Sequence, residues 1–300
     1  MTAVVETEQL GKRYGNLWAL RNCTLALPSG SAVALVGPNG AGKTTLLELL
    51  VGLLRPTEGQ ARICGHAPFD EASVVLPHVA FVAQDQSLYS NLTAAEHLTL
   101  GRKLNHRWND VLVRDRLHRL RIPLDRPVGR LSGGQRSQVA LGLSLAKQAD
   151  LVVLDEPLAS LDPLARQEFL QTLMEAKVDS GSTVLLSSHI VSGLERVCDF
   201  LVILATARVQ IATGIDEALT THVRLVGPPT ALPALSTVYP IVFSTETSRQ
   251  ATAVVRADGE IFDPVWELQH LSLEEIVLAY LSRTRLDDIE PKEEVATRAG

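Results

Sequence analysis

Eight residues, Gly37-Pro38-Asn39-Gly40-Ala41-Gly42-Lys43-Thr44, have the composition and spacing to hold a chain of phosphates. Glycines let backbone N–H groups turn toward an anion with no Cβ in the way. The segment follows a short apolar run at 31–36 and opens a Leu-rich run at 44–54. It therefore reads as the turn from a buried strand into a helix, the setting in which this spacing binds phosphate. The helix N-terminus favours negative charge. Lys43 supplies a point charge for β- and γ-phosphates, and Thr44 a hydroxyl for Mg2+. A chance match in a chain of this length is on the order of 1 in 100.

About 110 residues downstream, Leu151-Val152-Val153-Leu154 runs into Asp155-Glu156-Pro157. A buried strand would deliver both carboxylates to the C-terminal edge of a parallel sheet, where α/β folds bind ligands. Alone, such a run is more simply a strand ending in solvent-facing acids. Downstream of a phosphate loop, Asp155 is expected to hold Mg2+ through water. Glu156 is expected to act as the general base that orients an attacking water.

Leu131-Ser132-Gly133-Gly134-Gln135 precedes a helical run and offers a hydroxyl, two glycines and a helix start, a second phosphate cradle. One chain with one P-loop and two cradles resembles the nucleotide-binding subunits of ATP-binding cassette (ABC) transporters. In that family the signature segment of one subunit caps the ATP held by the P-loop of another. The resemblance implies ATP binding by Gly37, Pro38, Asn39, Gly40, Ala41, Gly42, Lys43, Thr44 and Thr45, and across the dimer by Ser132, Gly133, Gly134 and Gln135. Tyr14 resembles the aromatic that stacks on adenine. Gln84 resembles the glutamine that touches Mg2+ and the attacking water at the start of the helical subdomain. His189 resembles the switch histidine that contacts the γ-phosphate and supports Glu156. Lys43, Gln84, Glu156 and His189 are then the catalytic set, and Thr44, Gln84 and Asp155 the metal set. Ser160, Leu161 and Asp162 resemble the loop that contacts the partner subunit, with Ser160 where the family often has Gly. The resemblance covers residues 3 to about 215, with every motif present. The run Leu271-Ser272-Leu273-Glu274-Glu275-Ile276-Val277-Leu278, with Gly227-Pro228 after a strand, looks like subunits of ABC-2-type exporters.

The elements that must position these residues are α/β. Strands are predicted near 3–10, 20–27, 31–36, 60–64, 78–83, 151–154 and 183–187, with a closing hairpin at 200–204 and 208–212. Helices are predicted at 44–54, 132–147, 163–177 and 190–197, the first stopped by Arg55-Pro56. The implied fold is a P-loop NTPase core with a mainly parallel sheet, an N-terminal antiparallel β-subdomain and an inserted helical subdomain. The ATPase domain is expected at 1–215, its helical subdomain at about 85–147. A small α+β extension follows at 216–300, with strands at 223–226, 238–244 and 250–256. Ser272 and Glu275 form a capping box for a last helix whose Leu273, Ile276, Val277, Tyr280 and Leu281 share a face. Residues 284–300 read as a polar, frayed tail.

Composition excludes several classes. With 46% hydrophobic and 21% charged residues, disorder is not the main state. Net charge −6 argues against a protein that coats nucleic acid, and no nucleic-acid partner is expected. Mean hydropathy is +0.12, yet no stretch approaches the ~18 apolar residues of a membrane span. The first nine residues offer no basic n-region and no apolar h-region, so no secretion signal is expected there. Cys23, Cys64 and Cys198 have no metal-like spacing and read as reduced thiols. The expected protein is a cytoplasmic ATPase, peripheral on the inner face of the membrane. Its expected partners are a membrane-spanning permease and a second ATPase subunit, identical or not, with export the expected direction. Nine Arg or Lys against three Asp from Arg102 to Arg130 could face acidic loops or headgroups of that partner, or simply water. The alternative is a non-transport ABC ATPase acting on ribosome or DNA. It lacks support from a tandem cassette, a coiled-coil insertion or a basic net charge.

Overall fold

The computed structural model describes residues 3–85, 88–159, 161–259, 261 and 263–289. Of the site residues expected from sequence, Ser160 lies outside them. In chain order the first elements are β1 (Ala3–Tyr14), β2 (Leu17–Pro28), β3 (Ala32–Val36), α1 (Lys43–Leu50), β4 (Glu58–Ile63), α2 (Ala72–Val75) and β5 (Val79–Val82). Then come α3 (Ala94–Leu104), α4 (Asp110–Arg119), α5 (Gly133–Ala146), β6 (Leu151–Leu154), α6 (Pro163–Ser180), β7 (Thr183–Ser188), β8 (Phe200–Ala205) and β9 (Arg208–Gly214). The chain separates into two compact units, Met1–Gly214 and Ile215–Gly300.

In the first unit, β3, β6 and β7 are buried along their whole length. Such near-continuous apolar runs suit parallel strands covered on both faces. They lie in a six-stranded sheet of order β5-β6-β7-β3-β8-β9, parallel except for β9, which pairs antiparallel with β8. The order has a direct consequence for the site. β7 sits between β3, which leads into the glycine loop, and β6, which leads into Asp155 and Glu156. All three C-terminal ends open on one edge. A separate antiparallel sheet, β2-β1-β4, is made by the N-terminal residues, as expected. Helices α3, α4 and α5 close on their own core of Ala94, Leu98, Val113, Leu117, Val128 and Val139.

Two predicted helices of this unit differ. The helix expected to reach residue 54 ends at Leu50, because Gly52 adopts φ +77° and breaks the run before Pro56 is reached. The helix expected at 190–197 is only one 3-10 turn, Leu194–Arg196. There the Ser188 hydroxyl takes the Ile190 N–H and donates to the Ile190 carbonyl, and Gly193 turns left-handed. Side-chain bonds of this kind compete with helix nucleation.

The second unit contains α7 (Ile215–Thr221), β10 (His222–Gly227), α8 (Leu232–Val238), β11 (Ile241–Glu246), β12 (Ala251–Arg256), β13 (Glu267–His270) and α9 (Leu273–Ile289). Its antiparallel sheet runs β11-β12-β10-β13. The expected strand at 238–244 starts only at Ile241, after the helix that ends at Val238. α7 and β13 were not expected: β13 reads Glu-Leu-Gln-His, with no β-branched residue to mark it. Ser272 and Glu275 form the expected capping box, and Leu273, Ile276, Val277 and Tyr280 are buried. The supposed tail is helical to Ile289, and residues 290–300 lie outside the described residues. No helix among the described residues is long and apolar enough to cross a membrane.

Candidate active site

The glycine loop is shaped by contacts that tolerate no side chain. A Cβ on Gly37 would lie 2.1 Å from the Leu204 carbonyl oxygen, and one on Gly42, at φ +103°, 2.2 Å from that of Ala19. The loop folds over Lys43, which is almost fully buried at the start of α1. Its ammonium donates to the Gly37 and Pro38 carbonyls, at 2.7 and 3.2 Å, and stands 3.0 Å from Glu156 Oε1. Thr44 Oγ1 donates to Asp155 Oδ2 at 2.7 Å. Asp155 is tied back to the sheet, its N–H bonding the Val82 carbonyl.

Glu156 follows in a left-handed conformation, φ +45°. A non-glycine residue there carries roughly 1–3 kcal/mol of strain and is a mark of functional sites. Its second oxygen meets His189, at 2.8 Å from Nδ1 and 3.3 Å from the backbone N–H. The chain thus gathers Lys43, Thr44, Asp155, Glu156 and His189 into one contiguous network at the sheet edge. The donor set of hydroxyl and carboxylate oxygens is the hard-oxygen chemistry Mg2+ prefers. A cavity of about 380 Å3 opens beside it, lined by Ala19, Asn39, Gly40, Gly42, Lys43, Thr44, Thr45, Gln84 and Glu156. Gln84 is thereby brought to the same space from the end of β5.

Other expected residues lie elsewhere. Tyr14 is half exposed at the turn of the β1–β2 hairpin, with the Lys12 ammonium 5.4 Å from its ring centre, and is outside that lining. Ser132 and Gln135 are also outside it. They cap α5 reciprocally: Ser132 Oγ accepts the Gln135 N–H, and Gln135 Oε1 accepts the Ser132 N–H. Gly133 begins α5, and a Cβ on Gly134 would reach Ala165 and Leu161 at ordinary contact distance. Leu161 is buried, and Asp162 caps α6 through the Ala165 N–H.

Two site residues escaped the sequence reading. Ala19 lines the cavity from β2. Ser187, at the end of β7, has a fully buried hydroxyl that joins Asp155 and Glu156. Two serines closing a short, largely apolar strand were the available signal.

Residues 20–159 match the ABC transporter family. The chain is 34% identical over 228 residues to a Nod factor export ATP-binding protein I of Ralstonia nicotianae, covering 74% of this chain and 70% of the relative. It is 30% identical to a sulfate/thiosulfate import ATP-binding protein of Synechococcus elongatus, covering 98% and 94%. Among solved structures, an ATP-binding subunit of an ABC transporter superposes with a TM-score of 0.65 at 30% identity, covering 72% of this chain and 92% of that one. A dimeric cassette in a post-hydrolysis state with ADP and phosphate superposes at 0.61 with 26% identity, covering 70% and 98%. The chain belongs to the ABC transporter family and is one of its ATP-binding, ATP-hydrolysing subunits.

Proposed function

We propose that two such subunits close head to tail around two ATP molecules and drive transport through a separate membrane-spanning permease. The observation that carries this reading is the split of the phosphate-binding features. Lys43, Thr44 and Glu156 line one cavity, with Asp155 bonded to Thr44 and His189 to Glu156, whereas the Ser132–Gln135 cradle is outside that lining. A cradle that does not meet its own chain's P-loop is free to meet another's, and the dimeric relatives support that arrangement.

In the proposed site the loop amides and Lys43 hold the β- and γ-phosphates. To do so, Lys43 must exchange Glu156 for phosphate oxygens, which frees the carboxylate. Glu156 then takes a proton from the water that attacks the γ-phosphorus. His189 holds the carboxylate in place and reaches the γ-phosphate. Thr44, Asp155 and Gln84 would hold Mg2+, which would supply positive charge to offset that of the phosphates. Positioning and charge stabilisation provide most of the rate. Tyr14 is proposed for the adenine, and Ser160, Leu161 and Asp162 for the partner subunit.

For the permease, support comes from a second cavity, about 470 Å3, beside the end of β5 that carries Gln84. Leu53, Leu88, Leu100, Leu104 and Trp108 help to line it, and Leu53 and Leu104 are largely exposed at its rim. Through such a groove the nucleotide state sensed by Gln84 would reach the membrane partner and keep the ATPase on the cytoplasmic side. The named relatives work in both directions. We infer export from the Nod factor relative and from the segment at 271–278.

The experiment is ATPase turnover of Glu156→Gln. The variant should bind ATP and dimerise but hydrolyse almost none of it. Near-normal hydrolysis would falsify the general-base role. Replacing Leu88 by Asp should reduce recovery with a co-expressed permease, and unchanged recovery removes the docking assignment.

A further inference from the structure

We infer that Ser187 is a positioning residue for hydrolysis, the single hydroxyl that sets the geometry of both acidic residues at the site. The inference rests on the reading of Glu156 as the general base.

Ser187 is the penultimate residue of β7, wholly buried in a strand that otherwise supplies core. A buried hydroxyl is costly unless its hydrogen bonds are made. Here both are made, and to the two functional neighbours. Ser187 Oγ donates to Asp155 Oδ1 at 2.6 Å, and the Glu156 backbone N–H donates to Ser187 Oγ at 2.7 Å. The hydroxyl has one proton. Since an amide can only donate, that proton must point at the carboxylate, so the arrangement has one solution.

Two consequences follow. First, the Asp155 carboxylate is held at both ends, by Ser187 on Oδ1 and by Thr44 on Oδ2, which fixes its plane. Second, the Glu156 amide is anchored in the left-handed conformation that the residue would otherwise leave. That conformation sends the Glu156 side chain to Lys43 and His189 rather than on along the line of β6. The sheet order makes the bridge possible, because β7 runs parallel to β6 and in register, Leu154 beside Leu186. The next residue on each strand is then Asp155 and Ser187.

Ser187 does not itself line the cavity and reaches it only through the Glu156 amide and the Asp155 carboxylate, so its loss should act on kcat more than on nucleotide affinity. The test is steady-state ATPase of the full-length chain with variants Ser187→Ala, Ser187→Thr and Ser187→Cys, beside Glu156→Gln. Ser187→Ala should lower kcat about 10- to 100-fold with KM for ATP within about threefold, the range expected when a buried hydrogen-bond partner is removed. Ser187→Thr keeps the hydroxyl and should recover most of that loss. Ser187→Cys, a weak donor, should fall between. In the Glu156→Gln background, adding Ser187→Ala should cost less than it does in the parent, because the part of its effect that acts through Glu156 is already lost. A kcat for Ser187→Ala within twofold of the parent, an equal loss for Thr and Ala, or full additivity with Glu156→Gln would each overturn the inference. If Ser187→Ala does not fold, the order Ser, Thr, Cys in kcat decides it alone. If instead Glu156→Gln itself hydrolyses normally, the general-base reading fails, whatever Ser187 does.

Discussion

The Lys43–Glu156 contact makes a prediction of opposite sign for stability and for binding. Both side chains are more than nine-tenths buried, and the charges stand 3.0 Å apart. At an effective dielectric of about 20, the Coulomb attraction at that distance is about 5–6 kcal/mol. Desolvation of the two ions cancels most of it. Glu156→Gln keeps the shape: its oxygen can still face the Lys43 ammonium and its amide can donate to His189 Nδ1, while the His189 backbone N–H, 3.3 Å away, loses its acceptor. What is lost is the difference between charge-assisted and neutral hydrogen bonds, about 1.5 kcal/mol. For a unit of 214 residues, that lowers the melting temperature of the nucleotide-free protein by about 3–6 °C. Binding should move the other way. In the parent, ATP must open the pair before Lys43 can reach phosphate. In the variant there is no ion pair to open and no carboxylate to repel the triphosphate. The same 1.5 kcal/mol then appears as roughly tenfold tighter ATP binding. Calorimetric melting without nucleotide and titration with ATP in excess chelator, where hydrolysis is stopped in both proteins, measure the two halves. A variant that melts at or above the parent temperature without nucleotide refutes the argument, even if it binds ATP more tightly.

Three further outcomes are expected. Burial pushes the Cys23 thiol up to about 11 and the Cys198 thiol up to about 12, whereas Cys64 is exposed; a colourimetric thiol reagent should therefore titrate one of the three cysteines in native protein and all three after denaturation. Gly101→Ala would drive a Cβ to 2.1 Å from the Trp108 ring, whose indole N–H is held by Asp110. Such overpacking should cost about 1–3 kcal/mol and shift tryptophan emission, while an unchanged melt and spectrum would show that the ring is not fixed there. His222 is fully buried, its Nδ1 toward the Ala218 carbonyl and its Nε2 3.0 Å from the Tyr280 hydroxyl, and burial holds its imidazole below the usual range. The unfolded chain therefore binds the proton more readily. The stability His222 contributes is complete above about pH 6.5 and is lost as pH falls below it; the protection of β10 amides, taken relative to the intrinsic exchange rate at each pH, should fall on acidification, and His222→Gln should flatten that dependence.

What could be read in the sequence was what consecutive residues carry. The glycine loop, the Asp155-Glu156 pair and the Ser272 cap each depend on a few neighbours, and each was legible. The errors arose where short-range signals compete. Periodicity at 190–197 favoured a helix, but the Ser188 hydroxyl captures the backbone at Ile190 and Gly193 turns the chain away. At the end of α1, Gly52 acts before the more conspicuous Arg55-Pro56.

The deeper gap is strand order. Sequence patterns identify β3, β6 and β7 as buried strands, but the order β6-β7-β3 depends on two crossovers that no local pattern encodes. That order turns residues 31 and 32 positions apart into the Ser187 bridge to Glu156 and Asp155. It also brings His189 within 2.8 Å of a carboxylate that belongs to another strand. Family resemblance assigned His189 a role without explaining its reach. The explanation is that β7, the strand carrying it, lies between the one that leads to the phosphate loop and the one that leads to the acids. A site built in this way can be altered through the middle strand without touching a residue that meets ATP, which is why the hydroxyl of Ser187 is the most informative atom to remove.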